Sequence, residues 1–162
     1  MKEVAIIMGS DSDLKAMQPC MDALKALEVP FTVRILSAHR TPEAAAAFAR
    51  AAQADGYGVV IAAAGKAAHL AGAMAANTLL PVVGVPMKSS TLDGLDALLS
   101  TVQMPSGMPV ATVAIDGAAN AALLAAQILA VEDAALAEKL DAKRKADAEA
   151  VLSKDAGIGE RL

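Results

Sequence analysis

The chain has 162 residues, room for one domain with a substantial core, and its formal net charge of -4 without a basic run before the C-terminal helix argues against general nucleic-acid binding. Hydrophobic residues make up 56% and aromatics only 2%, with a mean hydropathy of +0.46, yet the longest weakly polar stretch, residues 117–131, is interrupted by Asn120 and Gln127 and falls short of the roughly 18 apolar residues a membrane span needs. The surplus apolar surface is therefore expected to be hidden in an oligomer.

No signal-peptide layout opens the sequence, and the single cysteine, Cys20, can form no intrachain disulfide. Both fit a cytoplasmic protein, with Cys20 as a small core residue of the first helix. Two histidines and no cysteine cluster argue against a metal site.

In chain order, residues 4–8 form a continuous apolar run, as expected for a strand covered on both faces. Gly9, Ser10, Asp11, Ser12 and Asp13 follow, and residues 14–27 have helical spacing at Leu14, Met17, Met21, Leu24 and Leu27. A polar loop between strand and helix is a ready anion site. Capping alone needs one Ser or Asp, and this loop has four.

Pro30 starts a second strand, whose apolar run at residues 31–36 reads as buried. It leads into Ser37, Ala38, His39, Arg40, Thr41 and Pro42. Thr41 suits a helix N-cap and Pro42 the first helical position, predicting a helix over residues 42–55 that Gly56 stops. Arg40 offers a fixed fork of donors for phosphate or carboxylate. His39 can take and give a proton near neutral pH. An anion clamp beside a proton shuttle suits catalysis on a phosphorylated substrate; taken singly, both side chains could also be merely solvated.

A third strand is expected at residues 59–63, followed by the small-residue loop from Ala64 to Gly72, which lets backbone approach a ligand and carries the other histidine, His69. His69 alone could equally be a structural residue at a helix start. A fourth strand (81–85) leads into a polar loop over residues 86–91, then a short helix at 95–102. A fifth strand is expected at 110–115. Residues 120–130 read as a helix with almost no polar face, hence buried nearly all round, and 132–154 as a long charged helix.

Alternating strands and helices imply a parallel sheet covered on both faces, with ligands bound at the carboxyl ends of its strands. Ser10 to Asp13, His39 with Arg40, and His69 each follow one of the first three strands. All three loops therefore share one rim, which favours a joint site over separate structural roles.

Five motifs, in order, carry a resemblance: Met8 to Asp13, Ser37 to Pro42, Ala67 to Leu70, Gln103 to Gly107, and Asn120 to Ala125. Together they resemble the N5-carboxyaminoimidazole ribonucleotide mutase family of de novo purine biosynthesis, over residues 4 to about 130. The resemblance implies a three-layer α/β/α flavodoxin-like fold with a parallel sheet, no metal or organic cofactor, and a homo-octamer. It implies one domain, with its core at residues 3–131 and the helix at 132–155 packing on a neighbouring subunit. It also implies that Ser10 and Asp13 hold the ribonucleotide, that Arg40 binds the 5′-phosphate with Ser12 and Ser37, and that His39 is the general acid/base. The loop of Gly65, Lys66, Ala67, His69 and Leu70 would surround the carboxylate or released carbon dioxide.

Lys66 departs from the pattern. Many mutases have glycine or an apolar residue there, and the carboxylase branch, which uses free carbon dioxide, has arginine; Ala67, Ala68, His69 and Leu70 match the mutase branch. A carboxylase, or a nucleotide-binding module without turnover, is the alternative. Flavin is a poor fit, since a chain with no Trp and one Tyr has few rings to stack on it.

Overall fold

The computed structural model describes residues 1–90 and 92–161. Thr91, the end of the polar loop expected after the fourth strand, lies outside the described residues. The strands are β1 (Glu3–Met8), β2 (Phe31–Ile35), β3 (Tyr57–Ala64), β4 (Val82–Pro86) and β5 (Ala111–Thr112). The α-helices are α1 (Leu14–Ala26), α2 (Pro42–Ala51), α3 (Leu70–Ala75), α4 (Leu95–Val102), α5 (Ala118–Ala130) and α6 (Ala134–Ala156).

Every strand pair is parallel, and the order is β2-β1-β3-β4-β5. This is the flavodoxin-like order, whose direction of winding reverses between β1 and β3. Successive side chains of a strand point to opposite faces, and the core divides accordingly. Val4, Ile6, Met8, Val59, Ile61, Val83 and Val85 pack under α1 and α5, with Leu136 and Leu140 of α6 closing that layer. Ala5, Ile7, Val60, Ala62 and Val82 pack against α2 and α3 on the other face. Both faces of β1 and β3 are thus covered, which is why their sequences run apolar without alternation.

Close approach is built in at Gly84. A Cβ there would lie 2.4 Å from Thr101 Cγ2 and 2.9 Å from Val110 Cγ1. The absent side chain lets α4 sit directly on β4.

Several expected elements differ. The run at 31–36 is not a buried strand: β2 is only half-buried to exposed, and Ile35 is 55% exposed. It lies at the sheet edge, where the helices cover it incompletely. The second helix ends at Ala51, and turns carry the chain on to Gly56, whose φ is +92°. The fifth strand contracts to two residues, although Val113 N–H still donates to Gly84 O (3.1 Å). In α5 only an alanine face is buried; Leu123, Leu124, Ile128 and Leu129 are half-buried. The charged helix begins later than 132, at Ala134, because Asp133 Oδ1 accepts from Leu136 N–H (3.0 Å) and caps it. Its Val151 and Leu152 stand exposed. Among the described residues no helix is long and apolar enough to cross a membrane.

Candidate functional site

A cavity of about 560 Å³ opens at the carboxyl ends of the strands. Ser10, Ser12, Asp13, Ser37, His39, Arg40, Gly65, Lys66, Ala67 and Leu70 all contribute to its wall. Three loops, separated widely in sequence, meet there because β2, β1 and β3 are adjacent and parallel.

The loop after β1 is shaped by its own hydroxyls. Ser10 Oγ accepts from Ser12 N–H (3.2 Å) and from Ser12 Oγ–H (2.9 Å), and donates to Asp11 Oδ1 (3.3 Å). Ser10 thereby caps a single 3-10 turn, Asp11–Asp13, that runs into α1. Asp13 is half-buried at its end. Burial pushes the Asp13 carboxyl above its ordinary value, and the charges of Asp116 and Asp11 push it further in the same direction.

After β2 the turn is tied by Ser37 and Thr41. Ser37 Oγ accepts from the backbone N–H of His39 (3.3 Å) and of Arg40 (3.1 Å). Thr41 occupies the N-cap position of α2 but makes no capping bond; its hydroxyl accepts from Ser37 N–H (2.9 Å) and donates to Ser37 O (3.1 Å). That hydroxyl closes the turn that carries His39 and Arg40, so its capping capacity is spent there. Arg40 Nη2–H donates to Gly9 O (2.9 Å), crossing from one loop to the next. One of the guanidinium's five N–H groups is so occupied, and the fork keeps donors for an anion.

His69 is the one expected residue that does not line the cavity. It is exposed and reaches the wall through a single contact: His39 Nε2 and His69 Nδ1 are 2.9 Å apart. Its position at the start of α3 follows from a tight turn in which Ala67 has φ +47° and His69 N–H donates to Ala67 O (2.7 Å). The helix start thus presents the ring to His39. Leu70 beside it is buried, while Lys66 is exposed at the mouth.

Lys88 and Ser89 also line the cavity and were not among the expected site residues. The signal was available: the polar loop after β4 falls on the same rim as the other three. The motif from Gln103 to Gly107 does not reach the cavity; Gly107 lines a separate hollow of about 840 Å³ with residues that include Asn77, Pro81 and Met108.

A parallel sheet with a hydroxyl-rich loop, an arginine and a histidine pair at its switch point defines an α/β protein with a small-molecule anion site. The chain belongs to the family described as AIR carboxylase, whose model matches residues 3–150. It is 58% identical over 151 residues to the N5-carboxyaminoimidazole ribonucleotide mutase of Brucella melitensis, covering 92% of this chain and 93% of that protein. The mutase of Escherichia coli K12 is 54% identical over 151 residues, covering 92% and 89%. The chloroplastic phosphoribosylaminoimidazole carboxylase of Vigna aconitifolia is 52% identical over 149 residues, 92% of this chain but only 27% of that longer protein. The crystal structure of PurE from Treponema denticola superposes with a TM-score of 0.87 at 30% identity, covering 95% of this chain and 96% of that one.

Proposed function

We propose that this chain is an N5-carboxyaminoimidazole ribonucleotide mutase, moving a carboxylate from the exocyclic nitrogen of an aminoimidazole ribonucleotide to ring carbon C4 in purine biosynthesis. The observation that carries the reading is His39 on the wall of a cavity shared with Asp13 and Arg40, in a chain whose relatives named as mutases match it nearly end to end.

Arg40, with Ser12 and Ser37, takes the 5′-phosphate; Ser10 and Asp13 take the ribose, the carboxylate accepting from its hydroxyls. His39 acts as an imidazolium first, giving its proton to the carbamate nitrogen. The N–C bond then breaks and carbon dioxide leaves with the aminoimidazole as neutral partner. C4 attacks that carbon dioxide, and the C4 proton passes back to His39. The proton given in the first half is regained in the second, so the sum is an isomerisation. Because His39 Nε2 is engaged by His69, Nδ1 is the ring atom left for this exchange. Gly65, Ala67 and Leu70 present little but small or apolar surface to the released carbon dioxide, and holding it beside C4 makes recapture effectively intramolecular.

Lys66 on the cavity wall and the carboxylase relative support a second reading, a carboxylase that draws carbon dioxide from solution. Turnover of the N-carboxylated ribonucleotide, compared with the uncarboxylated one plus bicarbonate, separates the two. Activity only with bicarbonate would overturn the mutase reading, and activity with neither would leave a binding module.

We also propose a homo-octamer of cytoplasmic single-domain subunits. Along α4 and the turn before it, Leu92, Leu95, Leu99 and Val102 are each 46–68% exposed and recur at helical spacing. Val151 and Leu152 near the end of α6 are exposed as well, as a helix packing on a neighbour requires. A stable monomer of 16.3 kDa in sedimentation would remove this reading.

A further inference from the structure

The turn after β5 supplies no residue to the cavity wall, yet it is bonded to that wall. Asp116 has φ +55°, a left-handed conformation that Asn, Asp and Gly tolerate best. Its N–H donates to Pro86 O (2.9 Å), and its Oδ1 accepts from Lys88 N–H (2.8 Å). Gly94 packs so closely against Lys88 and Ile115 that a Cβ would lie 3.1 Å from Lys88 Cα and 2.9 Å from Ile115 Cγ2. Lys88, which lines the cavity with Ser89, is therefore bonded to the Asp116 turn and packed against Gly94.

We propose that Asp116 is a positioning residue for ribonucleotide binding: it holds the wall of Lys88 and Ser89 in place. This deepens the functional reading above and rests on it. The tether follows from geometry, since an N–H donated to a carboxylate is stronger than one donated to a neutral acceptor. An asparagine would provide the same backbone tolerance and the same acceptor.

The test measures binding of 5-aminoimidazole ribonucleotide by calorimetry to the full chain and to two variants at neutral pH. Asp116→Gly suits the backbone and removes the tether; its dissociation constant should rise about three- to tenfold, the scale of one lost hydrogen bond. Asp116→Asn, which keeps an acceptor oxygen, should restore the affinity. Exchange of the Lys88 amide with solvent, which needs no ligand, should quicken in Asp116→Gly and return to normal in Asp116→Asn. An Asp116→Gly chain that binds like the parent, or an Asp116→Asn chain that binds no better than Asp116→Gly, overturns the proposal. A parent chain that binds no ribonucleotide overturns both this and the functional reading, while Lys88 exchange still reports whether the tether exists.

Discussion

His39 Nε2 and His69 Nδ1 lie 2.9 Å apart, with the rings edge to face at 75° and their centroids separated by 5.0 Å. At that distance the pair shares one proton between the facing nitrogens, since two donors or two bare acceptors would repel. One ring lines the cavity and the other does not, so the two histidines are not equivalent. His39→Asn should keep ribonucleotide binding, which the proposed function assigns to Arg40, Ser10 and Asp13, and lower turnover about a hundredfold to ten-thousandfold, the scale of a lost general acid/base. His69→Asn should impair turnover less. Reversed effects in the two variants would transfer the proton shuttle to His69.

Arg40→Ala should weaken substrate binding far more than it slows the bound complex. A lost charge-assisted contact to phosphate costs about 1.5 to 3 kcal/mol. Saturation kinetics decide it: an unchanged KM would rule out Arg40 as the phosphate clamp.

Lys66→Gly should leave mutase activity largely intact. The amine is exposed at the mouth of the cavity, and the mutase chemistry above gives it no proton to move. A hundredfold loss of kcat/KM, about 2.7 kcal/mol of barrier, would mean that this chain uses Lys66 on the carboxylate.

Asp13→Asn should stabilise the fold at neutral pH while weakening ribonucleotide binding. In the folded chain Asp13 ionises above its ordinary 3.8, chiefly through burial and then through Asp116 and Asp11. The charged form is therefore the one the fold disfavours. That penalty is absent below 3.8, grows as pH rises through the higher folded value, and is complete at neutral pH. Thermal unfolding should show a higher Tm for the variant at neutral pH and no difference in acid below that value. A gain of equal size at both pH values would point to a cause other than ionisation.

Gly84→Ala should destabilise the chain by about 1 to 3 kcal/mol, the usual result of overpacking. The new methyl would sit 2.4 Å from Thr101 Cγ2, and Thr101 cannot swing away freely because its hydroxyl donates to Ala97 O (2.7 Å) within α4. Denaturant unfolding reads the change, and a midpoint equal to the parent's would show that α4 shifts without strain.

Much of the fold was legible because its signals are local. Apolar runs without alternation mark β1 and β3, as strands covered on both faces must, and Thr41 with Pro42 marks the start of α2. The same run at residues 31–36 misled, because an apolar strand reads alike at the centre and at the edge of a sheet. Strand order alone decides which it is. The extent of the fifth strand was equally hidden: its ladder contracts to Ala111 and Thr112, beside Val83 and Gly84.

The candidate site divides along the same line. Residue type and position after a strand were enough to bring Ser10, Asp13, His39 and Arg40 to one rim, since parallel strands end at the same edge. The chain alone thus determined which chemistry is present and at which end of the sheet. Tertiary structure decided what touches what: that His69 meets His39 without lining the cavity, that Lys88 and Ser89 join the cavity, and that Asp116 bonds Lys88. Hydrogen bonds span 28 residues from Lys88 to Asp116 and 30 from His39 to His69. No sequence period links such positions; only the packing of neighbouring loops at the sheet's carboxyl edge brings them within reach.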